Sequence, residues 1–336
     1  MTPEYFRSDP TTALLSLQDV VTEFHTEQGV VRGIDGVSYD VRPGECLGVV
    51  GESGSGKSVT IMSALGLLPP SATVTSGQAW FDGVDLLRCS ERQLSRVRGK
   101  DIGVVFQDPM TALNPVMSVG GQIAESLRAH NPGLSKAARR DRVLELLSDV
   151  GIPDPADRAK QYPHQFSGGM RQRVMVAIAI ANRPKLIIAD EPTTALDVTV
   201  QAQILDLLLT VQAEVGAALV LITHDLGVIA EIADRVVVMN GGRVVEQADV
   251  DSLFHDTRHP YTRALLGSLP RMDSDVGRLA TVQSQTSTQA VREADGERRL
   301  VCVGPDHYVS AEYADGDAGA ESDEADGVLE PREVVR

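Results

Sequence analysis

A glycine-rich segment at residues 51–58 has the residue types and spacing of a phosphate-binding loop. It reads G-E-S-G-S-G-K-S and matches the pattern G-x-x-x-x-G-K-[ST]. Glycines let the backbone curl so that its N–H groups face phosphate oxygens, and a helix N-terminus behind them adds positive potential. In this pattern Lys57 reaches the β- and γ-phosphates of a nucleotide, and the Ser58 hydroxyl binds Mg²⁺.

The elements on either side of this loop support that interpretation. Residues 46–50 form a continuous apolar run, which predicts a buried strand. A helix is predicted from about residue 58 to about residue 68, where two prolines stop it. A chance glycine-rich turn would rarely lie between a buried strand and a helix, so phosphate binding is favoured.

Two acids follow a second apolar strand, which is predicted at residues 186–189. Ligands of open α/β sheets bind at the carboxyl ends of the strands, where Asp190 and Glu191 would lie. Asp190 is expected to hold Mg²⁺ through water, and Glu191 is expected to polarise the attacking water as a general base. Two acids after a strand more often belong to a solvated loop, but the phosphate-binding loop favours the catalytic interpretation.

A third motif, S-G-G-M, stands at residues 167–170 at the start of a helical run. Ser167 offers a hydroxyl, and Gly168 and Gly169 offer bare N–H groups at a helix N-terminus. This combination suits a γ-phosphate.

The periodicity of the chain predicts the fold that positions these motifs. Strands at 186–189 and 218–222 flank an amphipathic helix at 200–214, and this order predicts a parallel, doubly wound sheet with right-handed crossovers. Residues 14–50 have the pattern of short strands and turns, and residues of about 108–180 form a helical insertion. The predicted fold class is α/β: a P-loop NTPase with a parallel sheet core, an antiparallel β subdomain and a helical signature subdomain.

Composition excludes several functional classes. The net charge of −16 argues against nucleic-acid binding, which needs a basic face. The three cysteines, Cys46, Cys89 and Cys302, include no C-x-x-C pair, so they give no disulfide framework or zinc site and fit a reducing cytosol. The longest apolar runs, 174–181 and 217–222, are too short to cross a bilayer, so another chain must supply any membrane span.

In their order along the chain, the motifs resemble those of the ABC ATPase family. S-G-G-M stands where the family has its S-G-G-[QM] signature. The other family elements are Gln107 in F-Q-D-P, Asp197 in A-L-D and His224 in T-H-D. Phe24 stands where the family places an aromatic residue that stacks on adenine, although a lone Phe is more often part of a core.

The resemblance implies a role for each of these residues. Gln107 would bind Mg²⁺ and sense the membrane partner, and His224 would contact the γ-phosphate and hold the water of Glu191. The family works as a head-to-tail dimer, so the Ser167 signature would close on the partner's ATP, and Asp197 would link the two sites. The implied catalytic residues are Glu191, His224 and Gln107, and the implied metal ligands are Ser58, Gln107 and Asp190. The implied nucleotide contacts are Phe24, Gly51, Glu52, Ser53, Gly54, Ser55, Gly56, Lys57, Ser58, Ser167, Gly168, Gly169 and Asp197.

Three longer stretches resemble one branch of that family. Residues 106–123, 190–208 and 259–271 are similar to ATPases of peptide and nickel importers, and the first two are most like the D-type subunit of oligopeptide/dipeptide permeases. The resemblance implies an ATP-hydrolysing motor for peptide import, with nickel or another small solute as the alternative. It also implies two transmembrane permease subunits, a second F-type ATPase subunit, an extracellular solute-binding protein and a peripheral location on the cytoplasmic face of the membrane.

Two other functions fit the sequence less well than a transport motor does. Non-transport ABC ATPases that act on nucleic acid or ribosomes typically carry two cassettes, a long coiled coil or zinc modules. This chain shows one cassette, no heptad array and a strongly negative charge. A non-hydrolysing regulatory subunit would lack the catalytic acid, but Glu191 is present.

The predicted domain organisation has four parts. A flexible N-terminus at 1–12 precedes an ATPase domain at 13–255, which is followed by an extension at 256–310. The acidic segment 311–336 is predicted to be disordered, because it carries nine acids and two arginines. The low-complexity stretch 281–290 also differs from the importer branch, which often ends in a cysteine-rich segment. Only one cysteine lies in that region, and an iron–sulfur cluster needs four thiolates, so no cluster is predicted.

Overall fold

The computed structural model describes Phe6 and residues 11–194, 196–268 and 299–314. These residues form a four-stranded antiparallel sheet, an eight-stranded mixed sheet and a group of helices. The strands are β1 (Leu15–Thr26), β2 (Gly29–Val41), β3 (Cys46–Val50), β4 (Ala72–Phe81), β5 (Val84–Asp85), β6 (Ile102–Val105), β7 (Leu186–Asp190), β8 (Ala218–Thr223), β9 (Arg235–Asn240), β10 (Arg243–Asp249), β11 (Leu300–Gly304) and β12 (His307–Ser310).

The α-helices are α1 (Lys57–Ala64), α2 (Glu91–Val97), α3 (Pro109–Ala112), α4 (Val119–His130), α5 (Lys136–Asp149), α6 (Pro155–Arg158), α7 (Gly168–Ile180), α8 (Val198–Val215), α9 (Leu226–Ile232), α10 (Val250–His255) and α11 (Pro260–Gly267). Short 3₁₀ helices lie at Leu86–Arg88, Pro163–Gln165 and Ala311–Tyr313. No helix among the described residues is both long enough and apolar enough to span a membrane.

The eight-stranded sheet brings the predicted motifs to one edge. Its order is β11-β12-β10-β9-β3-β8-β7-β6, and the run from β9 to β6 is parallel. Val50 pairs with Thr223, and Asp190 pairs with Ile222, so β3, β7 and β8 end side by side. The predicted parallel core is confirmed, and three antiparallel strands extend it.

Continuous apolar runs explain why the central strands are buried along their whole length. Ile187 and Leu219 belong to a core shared with the helical layer, whereas Ile188 and Val220 belong to a second core shared with β1, β2 and α1. Successive side chains of a strand point to opposite faces, so such runs are typical of a sheet covered on both sides.

The antiparallel sheet packs against the helix that follows the phosphate-binding loop. Strand β1 pairs with both β2 and β4, and the hydroxyls of Thr22 and Ser63 lie 2.7 Å apart, which joins β1 to α1. Short strands were predicted in this region, but the structure has two long ones, β1 and β2. Register shifts, for example between Leu17 and Val20, interrupt the alternation of apolar and polar residues and made each strand look shorter in the sequence. Helix α1 ends at Ala64, before the predicted end near residue 68, and Gly66 follows with a φ of 62°.

The predicted helical insertion is confirmed, since only helices lie between residues 109 and 180. Helices α4, α5 and α7 share one core, which includes Ile123, Leu146 and Val176. Helix α8 begins at Val198, two residues before its predicted start, because the Asp197 side chain caps it. Strand β6, just before the insertion, was not predicted.

The C-terminal part adds a hairpin that was not predicted. Strands β11 and β12 pair with each other, and β12 joins the main sheet through the pairing of Val309 with Glu246 on β10. Disorder was predicted from residue 311, but residues 311–313 form a 3₁₀ helix, and the Tyr313 ring packs 4.5 Å from His259. The predicted disordered segment therefore begins too early.

The predictions for the remaining ends lie mostly outside the described residues. This holds for residues 281–290, for residues 315–336 and for all of residues 1–10 except Phe6. The Phe6 ring packs edge-on against Tyr308 at 5.2 Å, and its N–H donates to Leu300 O. At least this residue of the predicted flexible N-terminus contacts the C-terminal hairpin.

Candidate functional site

A cleft of about 570 Å³ opens at the sheet edge where β3, β7 and β8 end. It brings together three motifs that are separated in the sequence: the phosphate-binding loop, the acid after β7 and the histidine after β8. Its lining residues are Gly33, Glu52, Ser53, Gly54, Ser55, Gly56, Lys57, Ser58, Val59, Gln107, Glu191 and His224.

The loop at 51–58 needs glycine at two positions where the backbone passes close to its neighbours. Gly51 has a φ of 153°, and a Cβ there would lie 2.2 Å from Met239 O. Gly56 has a φ of 101°, and a Cβ there would lie 2.8 Å from the Ile34 side chain. Any side chain at either position would displace the loop, because real Cβ atoms do not approach other atoms so closely.

Lys57 lies along the inside of this loop. Its Nζ donates to Gly51 O at 2.7 Å and to Glu52 O at 2.9 Å. Burial lowers the pKa of Lys57, although the nearby carboxylates of Glu191 and Asp190 oppose this effect. The loop thus holds a positive charge at the floor of the cleft.

Ser58 and Asp190 supply oxygen atoms beside that lysine. Ser58 Oγ donates to Asp190 Oδ1 at 2.7 Å. Burial raises the pKa of Asp190 above its ordinary value, whereas the Ser58 hydrogen bond and the charge of Lys57 lower it. A hydroxyl and a carboxylate next to a phosphate-binding loop are the hard oxygen ligands that Mg²⁺ prefers, so this part of the cleft fits Mg²⁺.

Glu191 lies at the centre of a small polar cluster. Its φ of 44° is in the left-handed region, and its N–H donates to Ile222 O at 2.9 Å. Its Oε2 accepts hydrogen bonds from Gln107 Nε2 at 2.8 Å and from Thr194 Oγ1 at 2.9 Å. Its Oε1 lies 3.9 Å from His224 Nδ1. The structure therefore brings the three predicted catalytic side chains together.

The signature motif lies outside the lining of the cleft. Ser167 is exposed and caps α7 by accepting a hydrogen bond from the Met170 N–H at 3.3 Å. Asp197 caps α8 by accepting one from the Val200 N–H at 3.0 Å. A Cβ on Gly169 would lie 2.6 Å from the Val200 side chain, so the two helix starts lie together. None of these residues lines the cleft.

Phe24 lies at the rim of the cleft rather than among its lining residues. Its half-buried ring covers Gly33, where a Cβ would lie 2.5 Å from Phe24 Cε2. Gly33 and Val59 both line the cleft, so the Phe24 ring lies next to the cleft lining.

Comparison with known proteins agrees with this geometry. A family model described as "ABC transporter" matches residues 34–194, and one described as "Oligopeptide/dipeptide transporter, C-terminal region" matches residues 245–296. The chain is 52% identical over 270 residues to the dipeptide transport ATP-binding protein DppD of Bacillus subtilis, covering 80% of each chain. This chain belongs to the ABC transporter family of ATP-binding subunits. It binds and hydrolyses ATP.

Other relatives of this ABC ATPase have similar names. The oligopeptide transport ATP-binding protein OppD of Bacillus subtilis is 53% identical over 264 residues, which are 78% of this chain and 74% of that protein. The dipeptide transport ATP-binding protein DppD of Escherichia coli is 52% identical over 270 residues, which are 80% of this chain and 82% of that protein.

Solved structures confirm the fold of this ABC ATPase. A dimeric ATP-binding cassette in a post-hydrolysis state, bound to ADP and Pi, superposes with a TM-score of 0.63 at 29% identity, covering 70% of this chain and 98% of that one. A cassette from Clostridium perfringens superposes with a TM-score of 0.61 at 28% identity, covering 72% of this chain and 91% of that one.

Two polar contacts to the cleft of this ABC ATPase were not predicted. Thr194 donates to the carboxylate of Glu191, and the hydroxyl of Tyr261 accepts a hydrogen bond from the Glu52 N–H at 2.9 Å. The Thr194 contact could have been predicted, because a hydroxyl three residues after Glu191 can reach its carboxylate. The Tyr261 contact could not have been predicted. Tyr261 lies in the stretch 259–271, which indicates the family branch but gives no sign of a contact with the phosphate-binding loop.

Proposed function

We propose that this ABC ATPase is the motor subunit of an importer for oligopeptides or dipeptides. The similarity to dipeptide and oligopeptide transport ATP-binding proteins over about four fifths of the chain carries this proposal. The match of residues 245–296 to the oligopeptide/dipeptide transporter C-terminal region supports it independently of the ATPase motifs.

The cleft binds ATP through the phosphate-binding loop. The loop N–H groups and Lys57 hold the β- and γ-phosphates, since Lys57 already lies inside the loop. Phe24 stacks on adenine from the rim next to Gly33, which fits its half-buried ring. Ser58, Asp190 and Gln107 hold Mg²⁺, which neutralises charge on the phosphates when it is bound.

Glu191 acts as the general base of hydrolysis. It accepts a proton from the water that attacks the γ-phosphorus, and Gln107 and Thr194 orient its carboxylate through their hydrogen bonds. His224 contacts the γ-phosphate and holds the water, a role supported by its place 3.9 Å from Glu191.

A second ATPase subunit completes the site. Ser167, Gly168, Gly169 and Asp197 do not line the cleft, and this supports a role for them on nucleotide held by another subunit. The N-terminus of α7, which Ser167 caps, suits such a contact because helix N-termini attract phosphate. We propose an F-type ATPase subunit as this partner in the complete transporter.

Two transmembrane permease subunits bind the helical layer next to Gln107, on the cytoplasmic face of the membrane. Met110 and Val116 are exposed there, and exposed apolar side chains beside the catalytic cluster suit a docked segment of a permease. An extracellular solute-binding protein delivers the cargo, and this chain contacts it only through the permeases.

Reconstitution tests this function. The complete transporter, placed in liposomes with its binding protein and ATP, should take up a labelled peptide, and replacing Glu191 with Gln should abolish uptake. Omitting the second ATPase should also abolish it, because each site would lack its signature. Uptake of labelled Ni²⁺ but not of peptides would contradict the peptide assignment and favour the nickel alternative.

A further inference from the structure

We propose that Tyr261 is a positioning residue for the phosphate-binding loop and sets the affinity of this ABC ATPase for nucleotide. Tyr261 is the second residue of α11, outside the sheet core and the helical subdomain. The inference rests on ATP binding by the family and not on the identity of the transported solute.

The contact is made at the first turn of the loop. The Tyr261 hydroxyl accepts the Glu52 N–H at 2.9 Å, and Glu52 O accepts both the Ser55 N–H at 3.1 Å and Lys57 Nζ at 2.9 Å. Tyr261 therefore fixes the Gly51–Glu52 peptide unit, whose carbonyl oxygen, Gly51 O, accepts Lys57 Nζ at 2.7 Å and so orients the phosphate-binding lysine. On its other side the loop is held by the Gly242 N–H, which donates to Ser55 O at 3.0 Å.

Tyr261 is itself held in place by buried groups. Only 5% of its surface is exposed, and its own N–H donates to His259 Nδ1 at 3.0 Å. The His259 N–H donates to Glu246 Oε2 at 3.1 Å, and His307 Nε2 is 2.9 Å from Glu246 Oε1. A continuous chain of hydrogen bonds thus runs from the C-terminal hairpin to the phosphate-binding loop.

The Tyr261 hydroxyl stays in one protonation state, so its hydrogen bond with the Glu52 N–H does not change around neutral pH. Burial raises its pKa to about 12, so the hydroxyl stays neutral at physiological pH. A neutral hydroxyl accepts the Glu52 N–H without placing a negative charge beside the phosphates. The residue therefore orders the loop without repelling the ligand.

The test compares two tyrosine-to-phenylalanine variants of the full chain. Tyr261→Phe keeps the ring and removes the acceptor, leaving the partly buried Glu52 N–H without its protein partner. Tyr39→Phe is the matched control, because the Tyr39 hydroxyl is buried among the described residues with no hydrogen-bond partner. ATP and ADP affinity are measured with fluorescent analogues, and KM and kcat are measured in parallel at a temperature where both variants are folded.

Tyr261→Phe should raise the Kd for both nucleotides and the KM for ATP about three- to tenfold, the loss expected for one hydrogen bond. Its kcat at saturating ATP should stay within about twofold of wild type, because the residue touches neither Glu191 nor the attacking water. Tyr39→Phe should leave every value unchanged. Hydrogen exchange of the segment 51–58 should be faster in Tyr261→Phe alone.

Three results would overturn the inference. Unchanged nucleotide affinity in Tyr261→Phe would show that the contact does not order the loop for binding. An equal loss of affinity in both variants would reflect a general effect of altering buried tyrosines. A lower melting temperature with unchanged Kd and unchanged exchange of residues 51–58 would leave Tyr261 a purely structural role.

Discussion

Glu191 combines a left-handed backbone with a carboxylate held by two donors on one oxygen. Gln107 comes from the segment after β6, and Thr194 comes from the turn after β7, so two elements orient the same group. A non-glycine residue in the left-handed region persists only where its surroundings impose it, and such residues cluster at functional sites. This geometry accords with the proposed role of Glu191 as the base.

Thr194 gives a direct test of that orientation. Thr194→Val removes one of the two donors to Glu191 Oε2 and keeps the side-chain shape, so we expect kcat to fall about fivefold, the effect of one hydrogen bond. The Kd for ATP should stay unchanged, because Thr194 does not line the cleft. Thr193→Val, one residue earlier, is the control and should keep wild-type kcat. Equal kcat values in the two variants would show that the Thr194 contact does not orient the base.

At the scale of elements, the sequence predicted the parallel core well and its edges poorly. The runs that became β3, β7 and β8 are continuous and apolar, so a strand was their natural interpretation. The glycines and acids at their ends could then be placed at one edge of the sheet. The phosphate-binding loop, Glu191 and His224 were therefore predictable, because they follow directly after these strands, whereas Gln107 follows β6 and was named only from the family resemblance.

The elements that escaped prediction depend on distant partners. Strands β11 and β12 are only five and four residues long, and β12 joins the sheet by pairing with β10 about 60 residues earlier in the chain. His307 looks like an ordinary surface histidine in the sequence, yet it is buried against Glu246. No local sequence pattern predicts a pairing between such distant segments. Tyr261 escaped for the same reason, since Glu52 lies more than 200 residues before it.

The buried carboxylate of Glu246 on β10 connects the C-terminal hairpin to the rest of the fold through its hydrogen bond with His307. Burial alone would raise its pKa, but hydrogen bonds from His307 and from the N–H groups of Arg258 and His259 outweigh burial and lower the pKa. A fully buried carboxylate is stable only while its partners remain. The C-terminal hairpin supplies one of them.

Truncation tests this dependence. Deleting residues 299–336 removes His307 together with buried Leu300 and Val309, so we expect the free energy of unfolding to fall by about 3 kcal/mol or more. Deleting only residues 315–336 should leave the melting temperature and ATPase activity unchanged, since that acidic composition contributes little packing. Equal melting temperatures for the two deletions, measured by calorimetry, would contradict the proposed contribution of the hairpin.

His259 makes the stability of the same region depend on pH. Burial lowers its pKa to about 4, although Glu246 opposes this effect. The unfolded chain takes up a proton at His259 near its ordinary value of 6.5, and the folded chain does not, so stability falls as pH drops from 6.5 towards 4. The slope from this group approaches about 1.4 kcal/mol per pH unit.

The substitution His259→Asn tests this slope. Asparagine can still cap α11 but does not titrate, so the loss of stability between pH 6.5 and 4.5 should shrink relative to wild type. Denaturant unfolding at several pH values measures it, and His25→Asn, on an exposed side chain, is the control. A slope in His259→Asn equal to that of wild type would show that His259 is protonated in the folded state.

For the whole molecule, the main feature is the separation of two half-sites. The phosphate-binding loop, Gln107, Glu191 and His224 line the cleft, whereas Ser167 is not among its lining residues. In the proposed function, the cleft of this chain and its signature residues therefore act on different nucleotides. This separation supports the proposal that ATP is hydrolysed between two subunits, and it explains how nucleotide can hold them together by mass action.

ATP turnover by Glu191→Gln in the complete transporter tests whether Glu191 is the base that hydrolyses ATP in this chain. Glutamine keeps the shape of the side chain but cannot accept the proton of water, so turnover should fall about a hundredfold or more. The Kd for ATP should stay near that of wild type, because the phosphate-binding loop and Lys57 are intact. Turnover of Glu191→Gln equal to that of wild type would show that Glu191 is not the base.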